Sequence, residues 1–288
     1  MKKTLYDYND QHIGETIYIL GSSPALNDLN EEDLEFLKDK ITIGVNLTYE
    51  GINTLTYAIS AHIANAVYLF EHSKKDMPIF VAFNEGQKRE AFSHMKHFFW
   101  DDERVVVFSS DPPRLPLLQK HNTEDISLSG NTSVLLLATH LAYIMGASKI
   151  VYIGFEELKC AHFWNSNRQL EIRMVNNIKN ILKSKKYWSE LFYNNNLWDI
   201  HHNVHKEFEL MLGCIPGHAS CFNLSEEERE KSFWGATGHN IGTPPAIQNI
   251  YNFANYIKYL KYKGVDAYTL SHQGITINSG CISISDMI

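Results

Sequence analysis

The sequence predicts an α/β fold built on a mostly parallel sheet, and three observations point to it. Short continuous apolar runs, such as "TIYIL" at 16–20 and "KIVYIG" at 149–154, read as strands buried on both faces. Polar, helix-like stretches alternate with those runs, the pattern of parallel strands joined by crossover helices. The stretch from Ser133 to Met145 is apolar nearly all round, so it is expected to be a helix buried on most sides. The expected architecture is Rossmann-like, with helices on both faces of the sheet and a helical lid inserted.

The elements follow in chain order. After "TIYIL", the stretch "NDLNEEDLEFLKD" reads as an amphipathic helix on which Leu29, Leu34 and Leu37 share a face. Asn27 or Asn30 can cap its start. "ITIGV" at 41–45 and "TYAIS" at 56–60 are the next strands, followed by the helix "AHIANAVYLFEHSKK". "PIFVAF" at 78–83 and "RVVVFS" at 104–109 are the fourth and fifth strands. Gly146 suits the C-terminal cap of the Ser133 helix. Near the end, Ile247, Ile250, Tyr251, Ala254 and Ile257 fall on one face of a long helix, and "VDAYTLS" closes as a strand.

The segment 156–240 differs. It is polar and rich in aromatics, Asn, His and Lys, and it reads as a helical lid over an active site. The nucleotide-binding core is therefore expected at 1–155 plus 241–288. Across the chain, 44% hydrophobic and 20% charged residues in 288 suit a soluble globular protein. The net charge of -7 gives no strong nucleic-acid signal, since such binding depends on Lys and Arg at phosphates. The longest apolar run, Val134 to Met145, is too short for a transmembrane segment. The start has two lysines but no apolar core of a secretion signal. Cys160, Cys214, Cys221 and Cys281 form no CxxC pair, so free thiols in a reducing cytoplasm are expected. The expected location is cytoplasmic, with a peripheral position at the inner membrane left open, as is a homo-oligomer.

The chemistry-bearing candidates sit in turns at strand ends, where open α/β sheets bind ligands. Gly21, Ser22 and Ser23 follow the first strand, with Pro24 in the first helical turn beyond them. By pattern alone this turn is either a phosphate cradle or a plain connection, for it is neither GxGxxG nor a lysine-bearing P-loop. Asn46 follows the second strand and can bond a base or ribose from both sides of its amide, or cap a turn. Gly130, Asn131, Thr132 and Ser133 offer N–H and O–H donors at the start of the buried helix. Gly154 and Glu156 end the "KIVYIG" strand, and Glu157 follows them. No DxD motif occurs, which speaks against a metal-held sugar nucleotide. His162 and His239 stand in loops and suit general-base work at neutral pH, whereas His201, His202 and His205 lack a further ligand for a metal site.

Taken together, "ILGSSPAL", "IGVNLTY", "SGNTSVLLLATHLAYIMGASKIVYIGFEE" and "GHNIG…NIYNFANYIK…VDAYTLS" resemble bacterial lipooligosaccharide sialyltransferases. They are similar also to the wider superfamily of motility accessory factors and archaeal pterin pyrophosphokinase-like proteins. The match covers roughly 15–155 and 235–275. The resemblance implies that the Gly21 turn and Asn46 contact an activated sugar nucleotide. It aligns the family's Ser-Gly turn with Asn131 to Ser133, and its Gly-Ile-Asp with Gly154-Phe155-Glu156. It makes His239, in Gly238-His239, the general base. Ser22 stands where the family has Asn, and the two family tyrosines have no clear match, Tyr187 and Tyr193 being the nearest candidates.

The implied activity is glycosyl transfer from a nucleotide-activated sugar, CMP-linked and sialic-acid-like being favoured, to a glycan or other hydroxyl acceptor. No cofactor and no metal is required in that reading. The alternatives are a Mg²⁺-dependent pyrophosphokinase- or phosphotransferase-like enzyme with Glu156 or Glu157 at the metal, and a non-catalytic nucleotide or sugar binder.

Overall fold

The computed structural model describes residues 3–84, 102–113, 115–117, 127–130, 133–155, 168–183, 244–269 and 280–281. Among the described residues nine strands form one sheet in which every pairing is parallel. The strands are β1 Thr16–Leu20, β2 Ile41–Val45, β3 Tyr57–Ser60, β4 Ile79–Asn84, β5 Val105–Asp111, β6 Ser127–Ser129, β7 Lys149–Ile153, β8 Asp266–Thr269 and β9 Gly280–Cys281. Their order is β6-β5-β4-β3-β2-β1-β7-β8-β9. The chain builds outward from β1 in one direction as far as β6, then returns to start again with β7 on the other side of β1. The order therefore reverses between β1 and β7.

The continuous apolar runs have the cause the sequence suggested. In β1, Ile17 and Ile19 point into one buried cluster while Tyr18 and Leu20 point into the other. In β7, Ile150 and Tyr152 share the first cluster, and Val151 and Ile153 the second. Side chains alternate across a strand, so a strand covered on both faces must be apolar at every position. One face is covered by α3 Val134–Ile144 and α5 Pro244–Tyr262, and the other by α1 Glu31–Lys38, α2 Ile63–His72 and α4 Arg168–Lys183.

Each helix follows from local chemistry. The Asn30 side chain accepts the Asp33 N–H and the Asp33 carboxylate accepts the Asn30 N–H, a reciprocal cap that starts α1. Before it, Pro24–Asp28 forms a short 3₁₀ turn capped by Ser23. All residues of α3 from Leu135 to Ile144 are buried. Gly146, at φ 88°, ends that helix in the left-handed conformation glycine allows.

The edge strand β6 has one apolar residue, the buried Leu128, between two serines. That is too short a run to show a strand pattern, and long-range bonds hold it. Ser129 N–H donates to His140 Nδ1 at 2.8 Å, and Tyr256 O–H donates to Ser129 Oγ at 2.7 Å. These fully buried contacts join β6 to α3 and α5. They also fix the tautomer of His140, whose Nδ1 acts as an acceptor.

α4 falls within the segment 156–240 expected as a lid, yet it forms part of the core layer. Leu170, Met174, Ile178 and Ile181 make a buried stripe at helical spacing against α2 and the sheet. A polar clamp reinforces it. The Arg173 guanidinium donates to the nearly buried Glu50 carboxylate at 2.8 Å and to the Glu50 carbonyl at 3.1 Å. Tyr68 O–H donates to the same carboxylate at 2.7 Å, and Asn177 donates to Tyr68 at 3.0 Å. Burial pushes the Tyr68 hydroxyl pKa well above its ordinary value, so this phenol stays a donor. The rest of 156–240 lies outside the described residues.

Candidate functional site

Open α/β sheets take ligands at the carboxyl ends of the strands where the strand order reverses. Here that place is the carboxyl ends of β1 and β7, marked by Gly21 and Gly154. The two loops are tightly joined. Gly21 N–H donates to the Ile153 carbonyl at 2.8 Å, and Ser23 N–H donates to the Gly154 carbonyl at 3.1 Å. A methyl group on Gly21 would lie 2.3 Å from the Gly154 oxygen and 2.8 Å from the Phe155 ring. Gly154 adopts φ 72°, and a side chain there would meet Leu26 at 2.8 Å.

This narrows what the first turn offers a ligand. The N–H groups of Gly21 and Ser23 are already donated to β7 and its loop, and Pro24 has none. The Ser23 Oγ accepts the Ala25 N–H at 3.3 Å and serves as the cap. Ser22, between Gly21 and Ser23, is half-buried. The absent side chain of Gly21 is explained by packing between the loops rather than by approach of a phosphate.

The loop after β2 is bound into the same corner. The Thr48 hydroxyl, fully buried, lies 2.8 Å from the Gly21 carbonyl, 2.7 Å from the Val45 carbonyl and 3.2 Å from the Leu20 carbonyl. It staples the end of β1 to the end of β2. Asn46 is held with φ 54°, and its Oδ1 accepts from the Ser60 hydroxyl at 3.1 Å. Ser60 ends β3 and also accepts the His62 N–H at 3.1 Å. The structure thus brings Gly21, Ser22, Asn46 and Gly154 to neighbouring strand ends on one rim. Thr48, Ser60 and the exposed His62 at the start of α2 complete the rim, and sequence reasoning missed all three. The available signal was a polar residue closing each apolar run.

Gly130 and Ser133 stand elsewhere on the sheet. Gly130, at φ 129°, leaves β6, and four strands separate β6 from β1. Its N–H donates to the Asp111 carbonyl at 2.9 Å, and a methyl there would strike Leu136 at 2.5 Å. Ser133 begins α3, and its N–H donates to the Gly130 carbonyl at 3.0 Å without a side-chain cap. The link from this turn to the switch point is α3 itself, which packs against β1, β2, β3 and β6. Asn131, Thr132, Glu156, Glu157, His162 and His239 lie outside the described residues, as do Tyr187, Tyr193, His201, His202 and His205.

Among the described residues no group of three or more His, Cys, Asp or Glu is placed to hold a metal ion. Among the same residues no helix is long and apolar enough to cross a membrane. No protein-family model matches the chain, and no curated protein matches it.

Proposed function

We propose that the chain is a nucleotide-dependent transferase, read most specifically as a metal-independent glycosyltransferase using a nucleotide-activated sugar. A CMP-linked, sialic-acid-like donor is the favoured form, and a glycan or other hydroxyl compound is the acceptor. The observation that carries the nucleotide part is the switch point between β1 and β7, with Ser22 and Asn46 on its rim. A crevice at the carboxyl ends of parallel strands is where this architecture takes nucleotides. The sugar-transfer part rests on the resemblance of the Gly21, Asn46, Ser133 and His239 motifs to sialyltransferases.

In this reading His239 removes the acceptor hydroxyl proton as that oxygen bonds to the anomeric carbon. The bond from the anomeric carbon to the phosphate oxygen breaks, and the nucleoside monophosphate leaves with the electron pair. Hydroxyl and side-chain amide groups of the rim meet the charge that develops on the phosphate, a preorganised role. The Gly21 and Ser23 N–H groups take no part, because β7 and its loop already hold them.

A thermal-shift panel of CMP, UDP, GDP and ATP, each with and without Mg²⁺, tests the reading. CMP is expected to raise the melting temperature without metal, since a ligand that binds only the folded state stabilises it. At a hundredfold excess over Kd the gain is about 2.7 kcal/mol, or roughly 5–10 °C for a chain of this size. Stabilisation by ATP that depends on Mg²⁺ would replace this reading with a phosphotransferase.

A further inference from the structure

Asn46 combines two features beyond its place on the rim. It is a non-glycine residue in the left-handed backbone region, where asparagine is among the few side chains that settle. Such conformations persist where the surroundings over-determine them, and they cluster at ligand sites. Here the surroundings are explicit. Thr48 fixes the Val45 carbonyl just before Asn46, and fully buried Ser60 holds the Asn46 amide oxygen. The Ser60 oxygen accepts the His62 N–H at 3.1 Å, and its hydroxyl has the His62 carbonyl at 3.2 Å as a second, slightly longer acceptor beside Asn46.

The position carries its own chemistry. In an open parallel sheet, the end of the strand beside the switch strand is where a ribose lies, ordinarily bonded through its hydroxyls by a carboxylate. Asn46 closes β2, the neighbour of β1, about 25 residues beyond the Gly21 turn, near the spacing of that arrangement. A neutral amide there keeps hydrogen-bonding groups for a hydroxyl pair. It adds no negative charge beside an anionic phosphate. With Oδ1 engaged by Ser60, its N–H donors are the groups left for a ligand oxygen.

We infer that Asn46 reads the ribose hydroxyls, so that the site selects a ribonucleotide over its deoxy forms, with Ser60 as the positioning residue. This inference rests on the nucleotide reading above. Isothermal titration of the full chain with CMP, 2′-deoxy-CMP and 2′,3′-dideoxy-CMP tests it, extended to the other panel nucleotides if one of them binds more tightly. The wild-type protein is expected to bind the ribose form about tenfold more tightly than the dideoxy form, the scale of one good hydrogen bond.

Asn46→Gly keeps the left-handed backbone and removes only the amide, so the ratio is expected to fall close to one while the melting temperature holds. Ser60→Ala is expected to lower the ratio several-fold, and Ser60→Thr, which restores the hydroxyl, to recover it. A merely structural role for Ser60 would move stability and leave the ratio alone. Equal affinity of the wild type for ribose and dideoxy forms overturns the inference while the nucleotide reading stands. A ratio unchanged in Asn46→Gly overturns it as well. Absence of binding by every nucleotide overturns the nucleotide reading and this inference with it.

Discussion

Gly21→Ala is expected to destabilise the protein by on the order of 3 kcal/mol, toward the upper end of ordinary overpacking costs. The added methyl would sit 2.3 Å from a backbone oxygen, that of Gly154, and 2.8 Å from the Phe155 ring. Neither neighbour is the free end of a flexible side chain, so the loops leaving β1 and β7 must part. The expected fall in melting temperature is roughly 6–12 °C. Nucleotide binding should weaken with it, because the Thr48 staple anchors to the Gly21 carbonyl and transmits the shift to Asn46. Gly264→Ala is the control. That glycine has φ 80° with open space around it, so only backbone strain is added, about 1 kcal/mol. Thermal unfolding of both variants checks the difference. Equal losses would mean that the close approach of the two loops is not what Gly21 supplies.

His239→Ala is expected to lower turnover by about two to four orders of magnitude, the usual contribution of a positioned general base. Nucleotide affinity should be retained, because the base acts on the acceptor hydroxyl and not on the bound nucleotide. Single-turnover kinetics beside a binding titration separates the two effects. Unchanged turnover would remove His239 from the mechanism and turn attention to His62, exposed on the rim at the start of α2. A joint loss of turnover and binding would instead make His239 a ligand contact.

The strands were legible because their pattern is local. Ile17 and Ile19 face one cluster and Tyr18 and Leu20 the other, so the run itself announces burial on both sides. The helix over α3 was legible for the same reason, as was its glycine stop. β6 was not, because Ser127-Leu128-Ser129 becomes a strand only through β5, His140 and Tyr256, partners distant in sequence. The core role of α4 was hidden differently. Its stripe of Leu170, Met174, Ile178 and Ile181 was on the page, but the Asn, Lys and Arg between them gave the segment a polar look.

For the site, Gly21 and Asn46 could be picked out as turn residues after buried strands. What they do could not. Ser60 lies 14 positions from Asn46, and Thr48 lies 27 from Gly21, so neither bond leaves a short-range signature. The correction at the Gly21 turn is of the same kind. A Gly-Ser-Ser turn offers donors in sequence, and only the neighbouring strand β7 shows that two of them are already taken.

In the proposed reading the nucleotide lies across the carboxyl ends of β1, β2 and β7. Titration of isotopically labelled protein with CMP, followed by backbone amide NMR, tests it most directly. Shifts are expected to concentrate at Ser22, Asn46, Ser60, His62 and Gly154, with the amides at the opposite ends of the same strands unmoved. Shifts centred away from these strand ends, or a saturated complex that leaves Asn46 and Gly154 unperturbed, would contradict it.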